Sequence, residues 1–212
     1  MTAAISLDEI RRDRAALQAR WSAEGYYSGA TLSDALREGV RSYPENCSHF
    51  YSDGEGRART NAEMFEEGLR LAGALRDLGA TKGDVIAVQL PTWLETAVLY
   101  QAIAHIGAVT LPIVSIYGDA EVEYILRDSK AKFLFVPATW RGRPYAARYE
   151  RLLSGAGLAA IVVIGDRLPG GFVAWDDFTA GGTARAAPAA CDPNDVCCLI
   201  YTSGTTCNPK GV

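Results

Sequence analysis

Four apolar runs, over residues 85–90, 108–114, 132–137 and 160–165, constrain this chain more than any other feature. Each has the length of a strand and is hydrophobic nearly throughout, which is the pattern of strands covered on both faces. The stretches between them read as helices. Thr92 is placed to cap 93–106. Asp119 is placed to cap 120–128, with Val122, Ile125 and Leu126 inward, and a third helix is expected over 144–153. Strand and helix in alternation imply an α/β fold: a mostly parallel sheet of about five strands with helices on both faces.

The flanking segments fit around that sheet. Residues 5–20 form a charged helical pattern, so 1–30 read as a helical extension ahead of an α/β unit over 31–212. Thr31 can cap a helix carrying Leu32, Ala35, Leu36, Val40 and Tyr43 on one face, ended by Pro44. A hairpin is expected over 47–60, turning at Asp53-Gly54-Glu55-Gly56. Thr60 or Asn61 then caps a helix to Leu78 whose buried stripe is Phe65, Leu69, Ala72, Leu75 and Leu78, with Gly79 placed to terminate it. Residues 166–195 are rich in Gly, Ala and Pro and read as a surface connection, with a short helix starting at Trp175-Asp176-Asp177-Phe178. A last apolar strand is expected over 195–201.

Charge and composition narrow the function. The net charge of −4 without a basic stretch argues against electrostatic binding to nucleic acid. The N-terminus has no apolar core of a secretory signal. Residues 96–118 carry no formal charge over a length that can span a bilayer. Gln101, His105, Gly107 and Pro112 interrupt them and the hydrophobic pattern changes midway, so a helix running into a buried strand accounts for them better. Cys47, Cys191, Cys197, Cys198 and Cys207 include no Cys-x-x-Cys pair, and His49 and His105 have no triad partner. The cysteines read as buried free thiols, the histidines as structural, and no metal site is expected. Trp93, Trp140 and Trp175 follow element ends and are expected to pack there.

Chemistry concentrates at the end of the chain. After the strand come Thr202-Ser203-Gly204-Thr205-Thr206-Cys207-Asn208-Pro209-Lys210-Gly211-Val212. Backbone N–H groups of a tight glycine turn can converge on anionic oxygens, and hydroxyls add donors or meet a phosphate-bound magnesium. Lys210 would offset phosphate charge as a mobile point cation. The loop is not a Walker loop, because Gly211 stands where Ser or Thr would follow the lysine. By composition alone a plain Ser/Thr/Gly surface loop is equally open.

Residues 201–211 resemble the signature of the adenylate-forming superfamily, which includes acyl-CoA synthetases, luciferases and nonribosomal-peptide adenylation domains. Leu71-Ala72-Gly73-Ala74-Leu75 with Gly79 and Lys82-Gly83-Asp84, residues 95–112 with Gly107-Ala108-Val109, and residues 121–131 with Tyr124, Leu126, Asp128 and Ser129 are similar to it too. The likeness runs from about residue 30 to the end. It implies the N-terminal subdomain of an acyl-CoA synthetase fold and an ATP-dependent, AMP-forming fatty-acid or carboxylic-acid CoA ligase. In such enzymes a carboxylate attacks the α-phosphate of Mg·ATP, giving an acyl-adenylate and pyrophosphate, and a thiol, often coenzyme A, takes the acyl group. By resemblance Thr202, Ser203, Gly204, Thr205, Thr206 and Lys210 would engage the β- and γ-phosphates. Trp140-Arg141-Gly142 with Tyr145 is faintly similar to ligases for medium-chain or alicyclic acids.

The resemblance also implies what to expect elsewhere. The family has Gly, sometimes Ser, at the position of Cys207, and a cysteine there would be strained by about 1–2 kcal/mol if φ is positive. The catalytic residues, including the adenylation lysine of a mobile C-terminal domain, are expected downstream of Val212, so the 212 residues alone are expected not to complete the reaction. The alternative is a non-catalytic lobe that associates with a complementary half or another protein, through an exposed edge of the last strand. A cytoplasmic location is expected, with membrane contact peripheral at most.

Overall fold

A computed structural model describes residues 7–51, 56–150, 157–166, 170–181, 185–202 and 209–212. Helix α1 (Leu7–Ala23) lies near the segment preceding the last strand: Asn194 Oδ1 accepts from Gln18 at 2.8 Å and from Tyr27 at 3.1 Å. Helix α2 (Leu32–Ser42) starts as its sequence suggests. Thr31 accepts from the Asp34 N–H, and the Asp34 carboxylate accepts from the Thr31 N–H at 3.0 Å.

The apolar face expected of α2 is not buried. Leu32, Ala35 and Tyr43 are exposed, and Leu36 and Val40 are half-buried. The buried residue is Ser33, whose hydroxyl meets His105 Nδ1 at 2.8 Å. A polar contact rather than the hydrophobic stripe sets the rotation of this helix.

Strands β1 (Cys47–Phe50) and β2 (Arg57–Thr60) form the expected antiparallel hairpin, though most of its turn lies outside the described residues. Thr60, not Asn61, caps α3 (Asn61–Asp77), with Glu63 closing the capping box. Burial on α3 is broader than one stripe: Met64, Gly68, Leu71, Gly73 and Ala74 join Leu69, Ala72 and Leu75, while Phe65 and Leu78 are half-buried. Helices on two sides of α3 explain the extra width.

The central sheet contains β3 (Val85–Val88), β4 (Val109–Pro112), β5 (Phe133–Pro137), β8 (Ala160–Ile164) and β9 (Val173–Ala174), all parallel, in the order β4-β3-β5-β8-β9. Strand β9 was not evident in the sequence because it is two residues long and half-buried. Alternate residues feed two cores. Ile86, Val88, Phe133, Phe135 and Val162 face α3, α4 (Leu94–Ile106) and α7 (Trp175–Gly181). Ala87, Leu134, Val136, Ile161 and Val163 face α5 (Asp119–Asp128) and α6 (Ala146–Tyr149). The uncharged stretch at 96–118 resolves into α4, β4 and the turn after it. Among the described residues no helix is long and apolar enough to cross a membrane.

Three boundaries differ from expectation. Trp93 rather than Thr92 is the cap residue of α4, and it makes no side-chain cap bond. Gly118 rather than Asp119 caps α5, its N–H donating to Glu121 at 2.7 Å, while Asp119 pairs with Arg148. The helix expected over 144–153 starts later, as α6, because a tight hairpin of β6 (Thr139–Trp140) and β7 (Arg143–Pro144) precedes it; its expected end at 151–153 lies outside the described residues. Arg141 and Gly142, at φ 49° and 72°, make the two-residue turn of that hairpin.

The tryptophans pack at element ends as expected. Trp93 and Trp140 meet edge to face at 5.6 Å, and Trp175 packs on Phe135 and Phe178. The cysteine expectation is corrected. The four described thiols are free, but Cys47, Cys197 and Cys198 are exposed and only Cys191 is partly covered. Neighbouring thiols on opposite faces of a segment at the outer edge of β4 both reach solvent.

Candidate functional site

The terminal strand is shorter than the apolar run that encodes it. Segment 195–201 touches the sheet at one parallel bridge, Thr110 to Cys198, on the outer edge of β4. Thr110 donates to Cys197 O at 3.0 Å and Leu199 donates to Thr110 O at 2.9 Å. Val196 and Ile200 are exposed along this run. Being parallel to β4, it delivers the chain to the carboxyl end of the sheet.

There β10 (Tyr201–Thr202) pairs antiparallel with β11 (Lys210–Gly211), setting Thr202 opposite Lys210. Ile200 and Val212 exchange both backbone hydrogen bonds, at 3.0 and 2.9 Å. The hydroxyl-rich segment is therefore closed at its root into a hairpin. Of the residues singled out in the sequence, Thr202 and Lys210 are exposed across this stem. Ser203, Gly204, Thr205 and Thr206, with Cys207, lie outside the described residues. Thr202 and Lys210 offer hydroxyl and ammonium donors, the groups that suit phosphate oxygens.

Between them and the sheet sits Tyr201, which strand alternation turns inward as Thr202 turns out. It is 8% exposed. Its hydroxyl donates to Asp128 at 2.6 Å, and its carbonyl accepts from the Tyr117 hydroxyl at 3.3 Å. Burial, and then Asp128 as acceptor, push the phenol well above its ordinary range, so it stays protonated. A Cβ on Gly211 would stand 3.1 Å from both Leu199 and the Tyr201 ring, so the return strand packs closely on that ring.

The topology places a crevice beside this hairpin. From β3 the chain crosses through α4 to β4, then returns through α5 on the opposite face to β5. The connections leaving the carboxyl ends of β3 and β5 thus run in opposite directions, the arrangement at which open α/β sheets hold ligands. A cavity of about 360 Å³ lies at this end of the sheet, lined by Ser115, Ile116, Tyr117, Gly118, Arg143 and Arg148 among others. Arg148 is held by Asp119 at 2.6 Å and lies over the Tyr145 and Tyr149 rings at 5.1 and 5.6 Å.

Behind the crevice is a buried polar chain that the sequence did not disclose. Tyr149 donates to Gln89 at 2.5 Å, and Gln89 donates to Val114 O at 3.4 Å. Burial pushes the Tyr149 phenol up to about 12. The available signal was Gln89 itself, a polar residue inside an otherwise apolar strand run.

Comparison with known proteins comes after this geometry. A family described as AMP-binding enzyme matches residues 36–212. The salicyl-AMP ligase / salicyl-S-ArCP synthetase of Mycobacterium tuberculosis (strain ATCC 25618 / H37Rv) is 33% identical over 93% of this chain and 35% of its own length. The medium-chain fatty-acid–CoA ligase of Escherichia coli (strain K12) is 27% identical over 100% of this chain and 36% of its own. Among solved structures, apo MbtA of Mycobacterium smegmatis superposes with a TM-score of 0.79 at 28% identity, covering 93% of this chain and 36% of that one. The anthranilate CoA ligase AuaEII in complex with anthranoyl-AMP gives 0.74 at 27% identity, covering 87% and 34%. The chain spans about a third of the length of the curated relatives named here.

Proposed function

This chain belongs to the AMP-binding enzyme family, and from that we propose that it supplies the phosphate-gripping part of an ATP-dependent, AMP-forming acid–thiol ligase. Thr202, Ser203, Gly204, Thr205, Thr206 and Lys210 hold the β- and γ-phosphates of ATP. A fatty or other carboxylic acid attacks the α-phosphate, pyrophosphate leaves, and coenzyme A displaces AMP from the acyl-adenylate to give the thioester. Magnesium, when bound to the triphosphate, neutralises charge on the leaving pyrophosphate. Hydroxyl oxygens such as that of Thr202 are ligands it accepts. What this chain's residues do is orient the triphosphate and screen its charge. Loop-lysine chemistry at Lys210 is electrostatic, with no proton transferred.

The observation that carries this reading is the hairpin stem, which sets exposed Thr202 opposite exposed Lys210 at the carboxyl end of the sheet, beside β4. Titration calorimetry with Mg·ATP tests it. Binding is expected, with tripolyphosphate competing and adenosine not, and Lys210→Ala weakening it about tenfold, the factor of one charge-assisted hydrogen bond. Competition by adenosine but not by tripolyphosphate would overturn the reading. The same titration on Cys207→Gly reports whether the cysteine impairs the grip.

One observation favours a second reading, a lobe that docks with a complementary half. Val196, Ile200 and Val212 are 65%, 53% and 81% exposed on the terminal segment and the strand that returns beside it. An apolar sheet edge of this kind invites strand pairing. Sedimentation showing a monodisperse monomer that ignores added downstream polypeptide of a relative counts against it.

A further inference from the structure

We infer that Tyr201 is a positioning residue: its hydroxyl on Asp128 and its carbonyl under Tyr117 lock the root of the terminal hairpin to α5 and to the turn after β4, so that Thr202 and Lys210 are held in place for a phosphate ligand. The inference rests on the phosphate-binding reading given above. Its grounds are geometric. The segment that leads into the hairpin is joined to β4 by a bridge at Thr110 and Cys198 whose hydrogen bonds end at Leu199, so that ladder does not itself fix the hairpin beyond it. Two contacts of Tyr201 fix it there, and a third ties the ring to the return strand of the hairpin. Asp128, the last residue of α5, accepts its hydroxyl at 2.6 Å. Tyr117, in the turn between β4 and α5, donates to its carbonyl at 3.3 Å. Gly211, from the return strand, lies so close to its ring that a Cβ there would stand 3.1 Å away.

The chemistry of the anchor suits the role. Tyr201 is packed in the core formed with α5, where a hydroxyl without a partner would be costly. The bond to Asp128 is charge-assisted and directional, so it specifies one orientation of the ring. Residue 201 is next to Thr202 and in register with Gly211, the neighbour of Lys210. A ring that turns or withdraws therefore displaces both donors together. Phenylalanine would fill the same space and lose only the anchor.

The test compares wild type, Tyr201→Phe and, from the other side of the bond, Asp128→Asn. Two quantities are read: amide hydrogen exchange at Thr202, Lys210 and Val212, and the affinity for magnesium tripolyphosphate by calorimetry. Tyr201→Phe is expected to speed exchange at the stem amides, leave that of β3 and β5 unchanged, and weaken tripolyphosphate about tenfold. Asp128→Asn, which still accepts a hydrogen bond without charge, is expected to fall between the two. A merely structural role would lower the melting temperature without this pattern, since loss of global stability speeds exchange throughout the sheet. Stem exchange that stays as in wild type overturns the clamp, as does unchanged affinity in both variants. Wild type that binds no tripolyphosphate while Tyr201→Phe still frees the stem overturns the phosphate-binding reading and, with it, the purpose assigned to the clamp.

Discussion

Lowering the pH from 6.5 towards 4 should destabilise this lobe through His105 in particular. The imidazole has no exposed surface, its Nδ1 meets Ser33 of α2 at 2.8 Å, and its Nε2 is buried without a partner among the described residues. Around it stand Phe65 of α3, edge-on at 4.9 Å, Gly68 of α3, and Gln101 one turn earlier on α4, whose Oε1 is also unpartnered. Burial first, and then the charge of Arg37 on α2, lower its pKa from 6.5 to about 4. A depressed folded pKa means that the unfolded chain binds the proton first, so stability is intact above pH 6.5 and falls as pH drops through that window. The slope approaches about 1.4 kcal/mol per pH unit. At pH 5 the penalty is about 2 kcal/mol, and below pH 4 it saturates near 3 kcal/mol. The assay is urea unfolding at pH 7.5, 6, 5 and 4.5 for wild type and for Ser33→Ala/His105→Leu, which removes the titrating ring without leaving the serine hydroxyl stranded. Carboxylates titrate equally in both proteins, so the difference between them isolates His105. A wild-type-minus-variant difference that stays flat between pH 7.5 and 4.5 refutes the assignment of a neutral, desolvated ring.

Further outcomes can be checked on the same protein. Gly107 ends α4 at φ 71°, and a Cβ there would come within 2.6 Å of Cys191 Sγ. Gly107→Ala should therefore cost about 1–2 kcal/mol in backbone strain plus a steric share, of which Cys191→Ala recovers only the latter in a thermal melt. Phe133→Ala removes a fully buried ring from the centre of the sheet and should cost about 3–5 kcal/mol by denaturant titration. Brief labelling of the folded chain with a thiol reagent, followed by peptide mapping, should mark Cys47 and Cys197 before Cys191. Glu95→Gln breaks a bidentate pair with Arg57 at 2.6 Å, in which the ion pair holds the half-buried carboxyl below its usual range despite burial. Its destabilisation should be present at pH 7 and vanish as the wild-type carboxyl protonates in acid.

The parallel sheet was legible because its strands are covered on both faces and therefore nearly all apolar. The cap boxes at Thr31 and Thr60 were legible because they are local, needing only a hydroxyl and an acid three residues on. Misreadings fell where a local signal met a distant partner. Leu32 and Tyr43 look like a core face, but the contact that orients α2 is Ser33 with a histidine 72 residues away. The thiols of Cys197 and Cys198 look buried from their apolar neighbours, yet they lie at the outer edge of β4 and reach solvent. The hydroxyl-rich terminal segment was visible in the order of its residues, whereas the anchoring of Tyr201 was not.

What this sequence determined alone was the alternation of strand and helix, the caps, and the composition of the terminal loop, since each depends on residues within a turn or two of one another. Only the tertiary structure decided that β3 sits between β4 and β5 and that Asp128, 73 residues before Tyr201, receives its hydroxyl. The physical reason is that backbone periodicity reports which face of an element is apolar, while the choice of partner for a buried polar group depends on which elements the folded chain brings within about 3 Å of it.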